Sequence, residues 1–386
     1  MKSIVTFFIL LFFLSCDSQT TSQTPGEIVF KSVNVIPMDK EQVLQNQDVI
    51  VKDGKILAIG ESGKVKYNKK AILIDGKGKY LIPGLAEMHT HVPPSDDIQQ
   101  MKDVLLLYTL KGITTIRGML GHPKHLQLRE QLKKGEIVGP HFYTSGPSFN
   151  GNSVKSPEAA ETMVIEQKNA GYDFFKLHPG LSRANFDALA KKAKEVGMRY
   201  AGHVSYDVGV WRAIESGYAS IDHLDGFVEA LVPGVENISE EDRGLFGLYI
   251  GTKADVSKIP ALTKALRENN IWVVPTQALA ERWASPQKSA EAFAKDPDMI
   301  YMSEKTLNNW INAKNNLVKN PAYDSASAMV WIELRRKLIK ACQDDGVGLL
   351  SGSDAPQVFD VPGFSLHQEL QYMVASGLTR RLYQVR

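Results

Sequence analysis

The sequence predicts an α/β protein: a TIM-like (β/α)₈ barrel preceded by a small N-terminal β domain. Three observations lead there. Eight short apolar runs of β type follow residue 83: "GLAEMHTHV", "GITTIRGM", "HFYTSGP", "DFFKLHP", "RYAGHVS", "ASIDHLD", "IWVVPTQA" and "GVGLLSGSDA". Between them lie amphipathic stretches such as "RANFDALAKKAKEVG" and "VWIELRRKLIKACQDDG", each closed by glycine as helices commonly are. Residues of metal-binding type sit at or near the C-terminal ends of the apolar runs, where barrel proteins carry their chemistry.

Taken in chain order, the first element is "MKSIVTFFILLFFLSC", with Lys2, an apolar core from Ile4 to Leu14, then Ser15 and Cys16. The apolar run is too short to span a bilayer and has the layout of a secretory signal. Its ending resembles a bacterial lipoprotein signal, which implies an exported protein held to a membrane by a lipid on Cys16; a plain export signal with an incidental cysteine is the alternative. Residues 17–26, "DSQTTSQTPG", read as a flexible tether. From 27 to 82, valine and isoleucine alternate with polar residues and "DGK" recurs where a hairpin turn would sit, which predicts a β domain. The barrel is expected over 83–375. Cys342 is the second of two cysteines, so no disulfide framework exists, and it is expected as a buried thiol in a helix. A net charge of +2 with no polybasic run excludes an electrostatic footprint for nucleic acid.

The reactive residues fall on five of the eight strands. His89 and His91 end the first, Lys176 lies in the fourth, His203 in the fifth, His223 in the sixth and Asp354 in the eighth. Residues two apart on a strand share a face, so both imidazoles of His89-x-His91 can point into the barrel mouth. Imidazole and carboxylate donors suit zinc, and an open catalytic site leaves room for water. Lys176, flanked by Phe174, Phe175 and Leu177, is expected to be desolvated and to favour its neutral amine.

With "PGLAEMHTH", "GITTIRGM", "FFKLH", "GH", "IDH" and "GSDA", the chain resembles the amidohydrolase superfamily in its binuclear-metal form. Within it, the subgroup of imidazolonepropionase-related enzymes and Xaa-Pro dipeptidases is the nearest match. The resemblance implies that His89, His91 and Asp354 bind one divalent ion, that His203 and His223 bind a second, and that Lys176, carboxylated by carbon dioxide, bridges them. It implies hydrolysis of a C–N bond, in a dipeptide, N-acyl amino acid or cyclic amide, by a metal-bridging hydroxide with Asp354 as general base and then acid. A non-catalytic surface lipoprotein that keeps the barrel for binding is the alternative from another class. Family members often carry Arg-Asp where this chain has Arg117-Gly118.

The remaining polar residues carry weaker signals. His178 shares a strand face with Lys176 and suits either a substrate contact or a structural role. His122, His125 and His141 are expected at the surface or in loops, and His367 as packing. The connection after the seventh strand carries Trp283, Tyr301 and Trp310 and reads equally as a lid or as a packed helical hairpin. In the family, "ASGLT" leads into a helix and strands that complete the β domain as a sandwich. Seven residues follow it here, so 376–386 is expected to be a truncated end that leaves the β-sandwich incomplete, with exposed edges and lowered solubility.

Overall fold

The computed structural model describes residues 26–379. The expected signal segment, nearly all of the tether and the last seven residues lie outside them. Two compact units divide at Pro83 and Gly84, one residue from the boundary expected from sequence. Among the described residues no helix is long and apolar enough to cross a membrane.

The N-terminal unit is a five-stranded sheet of β1 (Ile28–Val35), β2 (Leu44–Lys52), β3 (Lys55–Glu61), β4 (Ile72–Asp75) and β5 (Tyr80–Leu81). The order is β3-β2-β1-β4, with β5 also on β1. The first "DGK" does make a hairpin: Lys52 pairs with Lys55 across Asp53 (φ 50°) and Gly54 (φ 71°), the two positive φ angles that a type I′ turn requires. The second does not. β4 and β5 both run parallel to β1, pairing with Ile28–Lys31 and with Asn34–Val35 in turn. The Asp75 side chain accepts from Lys77 N, so this "DGK" is a bend between two segments on one strand edge. The expected sandwich is present as a single layer, and Ile56, Leu57, Ile72 and Leu73 are more than half exposed.

The second unit alternates strand and helix as expected. β6 (Leu85–Thr90), α1 (Ile98–Leu110), β7 (Ile113–Gly118), α2 (Pro123–Lys133) and β8 (His141–Thr144) open it. α3 (Pro157–Ala170), β9 (Phe175–Leu177), α4 (Arg183–Glu195), β10 (Tyr200–Gly202), α5 (Gly209–Ser216) and β11 (Ser220–Asp222) follow. After β11 come the short α6 (Phe227–Leu231) and α7 (Glu240–Arg243), then α8 (Ile259–Glu268) and β12 (Trp272–Val274). The long connection is helical: α9 (Gln277–Trp283), α10 (Ala290–Phe293) and α11 (Glu304–Val318) precede α12 (Ser325–Asp344) and α13 (Ser365–Ala375). Of its aromatic residues, Trp310 is buried in a cluster with Phe293 and Phe359, Trp283 packs against that cluster, and Tyr301 is 53% exposed. The helical hairpin is therefore the reading that holds.

Parallel pairing joins β6-β7-β8 and β9-β10-β11-β12. Bridges Ser145–Phe174 and Phe149–Leu177 connect the two groups. The eighth run, around 348–355, is bound to both neighbours without forming a regular strand: Leu349 bridges Val273 on one side and Ala355 bridges Thr90 on the other. Close backbone approach explains the irregularity. A Cβ on Gly348 would lie 2.4 Å from the Trp272 ring, one on Gly352 2.7 Å from His89 N, and Asp354 turns out of extended geometry at φ 69°.

The helices behave as their sequences suggest. Ser182 caps α4 by accepting from Asn185 N; the helix buries Phe186, Leu189 and Ala193, and Gly197 closes it at φ 63°. Helix α12 buries a stripe of Trp331, Ile332, Leu338, Ile339 and Cys342; burial pushes the Cys342 thiol up to about 12.

Two histidine expectations are corrected. His367 is not packing but exposed, with its Nε2 donating to Lys111 O at 2.9 Å. His141 is exposed and His122 caps α2, as surface residues do, but His125 is fully buried. It lies three residues before buried Leu128, on the inner face of α2, with Nε2 donating to Pro93 O and its ring edge-on to Phe142. Burial lowers its pKa from 6.5 to about 4.

Between those values the unfolded chain binds the His125 proton and the folded chain does not. Stability from this group is therefore complete above pH 6.5 and lost as pH falls toward 4. At pH 5 the loss is about 2 kcal/mol relative to pH 7. We predict that urea midpoints of the wild type fall more between pH 7 and pH 5 than those of His125→Gln. Parallel pH profiles would refute this.

Candidate metal centre

All six candidate ligands gather at the C-terminal ends of the barrel strands. His89 is the penultimate residue of β6 and His91 directly follows that strand, Lys176 is inside β9, His203 directly follows β10, His223 directly follows β11, and Asp354 lies next to last in the eighth run. The ligand atoms of His89, His91 and Asp354 lie within 4.8 Å of one another. His89 Nε2 and His91 Nε2 approach the same oxygen, Asp354 Oδ1, at 3.1 and 2.5 Å. His223 packs against His89 with ring centroids 4.5 Å apart and against His203 at 4.4 Å. His178 lies 5.1 Å from the His203 ring with its Nδ1 unpartnered. The second pair of histidines thus abuts the first ligand group.

Three of the four ligand histidines are oriented through Nδ1; the fourth, His91, has an unpartnered Nδ1 and meets Asp354 through Nε2. His89 Nδ1 donates to Asp222 Oδ2 at 2.8 Å, His203 Nδ1 donates to Asp225 Oδ2 at 3.0 Å, and His223 Nδ1 pairs with Thr276 Oγ1 at 2.9 Å. That leaves their Nε2 atoms as the free ligating positions, the arrangement that outer partners impose on metal-binding imidazoles. His223 Nε2 is buried without a hydrogen-bond partner. Burial holds the pKa values of His91, His203 and His223 below the usual imidazole range, so they are neutral lone-pair donors at neutral pH. Burial works against ionisation of Asp354. The electrostatic interactions and hydrogen bonds of the adjacent His89 and His91 imidazoles outweigh it, and the carboxyl stays well below its ordinary range.

Lys176 is fully buried, and its Nζ has no hydrogen-bond partner. The nearest anion, Asp222 Oδ2, stands 3.9 Å away. Burial brings the amine down to about 8. A buried polar atom without a partner costs free energy, so a ligand at Nζ relieves a penalty already present. Orphaned Nζ and Nε2 atoms beside a converging His-His-carboxylate group fit divalent cations.

The backbone carries strain here. His223 (φ 64°), Thr276 (φ 46°) and Asp354 (φ 69°) all adopt the left-handed region despite their Cβ atoms, at about 1–2 kcal/mol each. Long-range bonds hold them there: His223 N donates to Val274 O and Asp354 N to His89 O, both at 2.8 Å.

Several residues of the site escaped the sequence reading. Asp222 and Asp225 flank His223 in "IDHLD", a signal that could have been read as carboxylates oriented to serve histidines. Arg117 has a defined role despite the missing Asp: Nε donates to Met88 O, and Nη2 donates to Ser220 Oγ and Asp222 Oδ1. Phe246 stacks on His223 at 5.1 Å with planes 12° apart, and nothing local in its sequence announces this.

A sequence profile of the Amidohydrolase family matches residues 80–377. The chain belongs to this family. Among curated relatives, an enamidase from Eubacterium barkeri is 33% identical over 164 residues, covering 40% of this chain and 41% of the relative. The chain spans less than half the length of the curated relatives it matches. Among solved structures, a bottromycin amidohydrolase is similar in fold at TM-score 0.66 and 22% identity, covering 93% of this chain and 76% of the other. An Xaa-Pro dipeptidase with methionine in its active site gives 0.63 at 18% identity, covering 92% and 85%. This amidohydrolase fold places its His-His-Asp cluster at the barrel mouth.

Asp222 tests the centre without touching a ligand atom. We predict that Asp222→Asn, which weakens the hold on His89 Nδ1, lowers divalent-metal affinity about 10- to 100-fold, read by titration against a competing chelator. Wild-type affinity in that variant would show that His89 needs no orienting carboxylate.

Proposed function

We propose that this amidohydrolase cleaves a C–N bond of an amide, peptide or cyclic amide, with two zinc ions and a carboxylated Lys176. The observation that carries the reading is the convergence of His89, His91 and Asp354 within 4.8 Å, beside a buried Lys176 amine that lacks a hydrogen-bond partner. His89, His91 and Asp354 would hold one cation and His203 and His223 the other, with Lys176 as the bridge. When bound, divalent cations at this site supply an acidified water and polarisation of the scissile carbonyl.

The chain's own groups do the rest. The Lys176 side chain, brought down to about 8 by burial, populates the neutral amine near neutral pH; that form would add to carbon dioxide with loss of one N–H proton, giving a carbamate whose oxygens are anionic donors. Asp354, ionised and 5% exposed, stands where it can take a proton from water and hand it to the leaving nitrogen. Asp222, Asp225 and Thr276 keep the imidazoles in the tautomer that turns Nε2 toward the cleft. Dipeptides and other N-acyl amino acids are the preferred substrate classes, supported by the fold likeness to an Xaa-Pro dipeptidase. Export and a lipid anchor on Cys16 belong to the same reading and rest on the layout of residues 1–16.

The test is a panel of dipeptides, N-acyl amino acids and cyclic amides offered to the metal-loaded protein, with elemental analysis alongside. We expect two zinc ions per chain, and turnover that falls about 10²- to 10⁴-fold in Asp354→Asn. Two bound ions with no turnover across the panel would defeat the hydrolytic reading. We also predict that Lys176→Ala loses the metal pair, and that after stripping, the wild type regains activity better when bicarbonate accompanies the metal. Full reconstitution in carbonate-free buffer would defeat the carbamate.

A further inference from the structure

A cavity of about 760 Å³ opens beside the metal centre, with His203, Asp225 and Phe246 in its wall. It extends away from those residues between α5, α6 and the 235–246 segment. Its charge is one-sided: Asp207, Asp225, Glu229, Glu236 and Glu240 line it, against the single cation Arg243. Two of these charges are already committed. Asp225 accepts from His203 Nδ1 and Val204 N. Arg243 donates from Nε to Ile238 O and from Nη2 to Val235 O, and its guanidinium lies 4.1 Å from the centre of the Tyr206 ring. That arginine braces the wall instead of presenting itself to an anion.

Glu229 is different. Its Oε2 is buried and has no hydrogen-bond partner. Burial and the nearby Asp225 push its carboxyl up to about 7; the charges of Arg243 and Arg335 offset only part of the cost of burying this anion. Outside it, Asp207, Glu236 and Glu240 are exposed at the rim, where like charges draw cations inward. Trp211, 45% exposed, adds an aromatic surface of the kind that receives ammonium and guanidinium groups.

We propose that this cavity receives a cationic group of the substrate, a guanidinium or an ammonium, with the Glu229 carboxylate as its anchor. The proposal rests on hydrolysis at the adjoining metal centre and specifies which amides are turned over: those carrying a lysine- or arginine-like side chain that reaches past His203. Phe246 separates the two functions, stacked on His223 on the metal side and lining the cavity. Glu229 here is a specificity residue and takes no part in bond cleavage.

The test uses the full chain, metal-loaded, in two arms. In the first, butylguanidinium and the isosteric but neutral butylurea are titrated by ligand-observed NMR. We expect butylguanidinium to bind at least tenfold more tightly, and Glu229→Gln to abolish the difference while its melting temperature stays near that of the wild type. Equal binding of the two probes by the wild type overturns the proposal, as does a tenfold preference that survives in Glu229→Gln. If that variant does not fold, the wild-type comparison alone decides. The second arm compares kcat/KM for amides of arginine, lysine and norleucine. Turnover without preference for the cationic substrates overturns this inference and leaves the hydrolytic reading standing. Selective binding of butylguanidinium with no turnover of any amide overturns the hydrolytic reading and leaves the cation site standing.

Discussion

The mouth of the barrel depends on one buried carboxylate. Asp222, with no solvent exposure, accepts from His89 at the end of β6, from Arg117 on β7 and from Ser220 on its own strand. The Lys176 amine of β9 stands 3.9 Å away. Four strands that are distant in sequence therefore meet at a single anion. A buried charge is tolerated only when it is paired and hydrogen-bonded. Each partner therefore also fixes a strand end: Arg117, besides holding Asp222, donates to Met88 O next to His89.

A second layer of restraint comes from outside the strands. Helix α12 sends the fully buried Arg335 inward, where Nη1 donates to His223 O at 2.7 Å, Nη2 to Pro275 O at 2.8 Å and Nε to Gln277 Oε1 at 3.0 Å. Those acceptors bracket the strained His223 and Thr276. The same helix donates from Trp331 Nε1 to Phe246 O, holding a residue at φ 50° whose ring stacks on His223. Strain at His223, Thr276, Asp354 and Phe246 persists because surrounding bonds over-determine it, as happens where side-chain direction matters more than backbone ease.

Much of this was legible in the chain. Alternation on a strand has period two, so His89 and His91 had to share a face, and the strand-helix rhythm marked where Lys176, His203, His223 and Asp354 would emerge. Glycine after an amphipathic run located the ends of α4 and α12, and the turn chemistry of Asp53-Gly54 located the β2–β3 hairpin. Where such local rules were read incompletely the error was correctable: His125 precedes Leu128 by three residues, the spacing of a buried helix face. The second "DGK" shows the limit of the method. Its letters match the first, yet β4 runs parallel to β1, because pairing partners are chosen by packing and not by the turn alone.

By itself, then, the sequence determined the strand and helix order and the strand ends at which the six candidate ligands emerge, since these follow from periodicities of two and 3.6 residues that covalent geometry imposes on neighbours in the chain. Only the tertiary structure decided which groups orient and border those ligands. Asp222 reaches His89 across 133 positions and Arg335 reaches His223 across 112, and Phe246 and Glu229 come to the site from the segments after β11. No local pattern announces such contacts, because they arise only when distant segments pack together and each buried polar group must find a partner there.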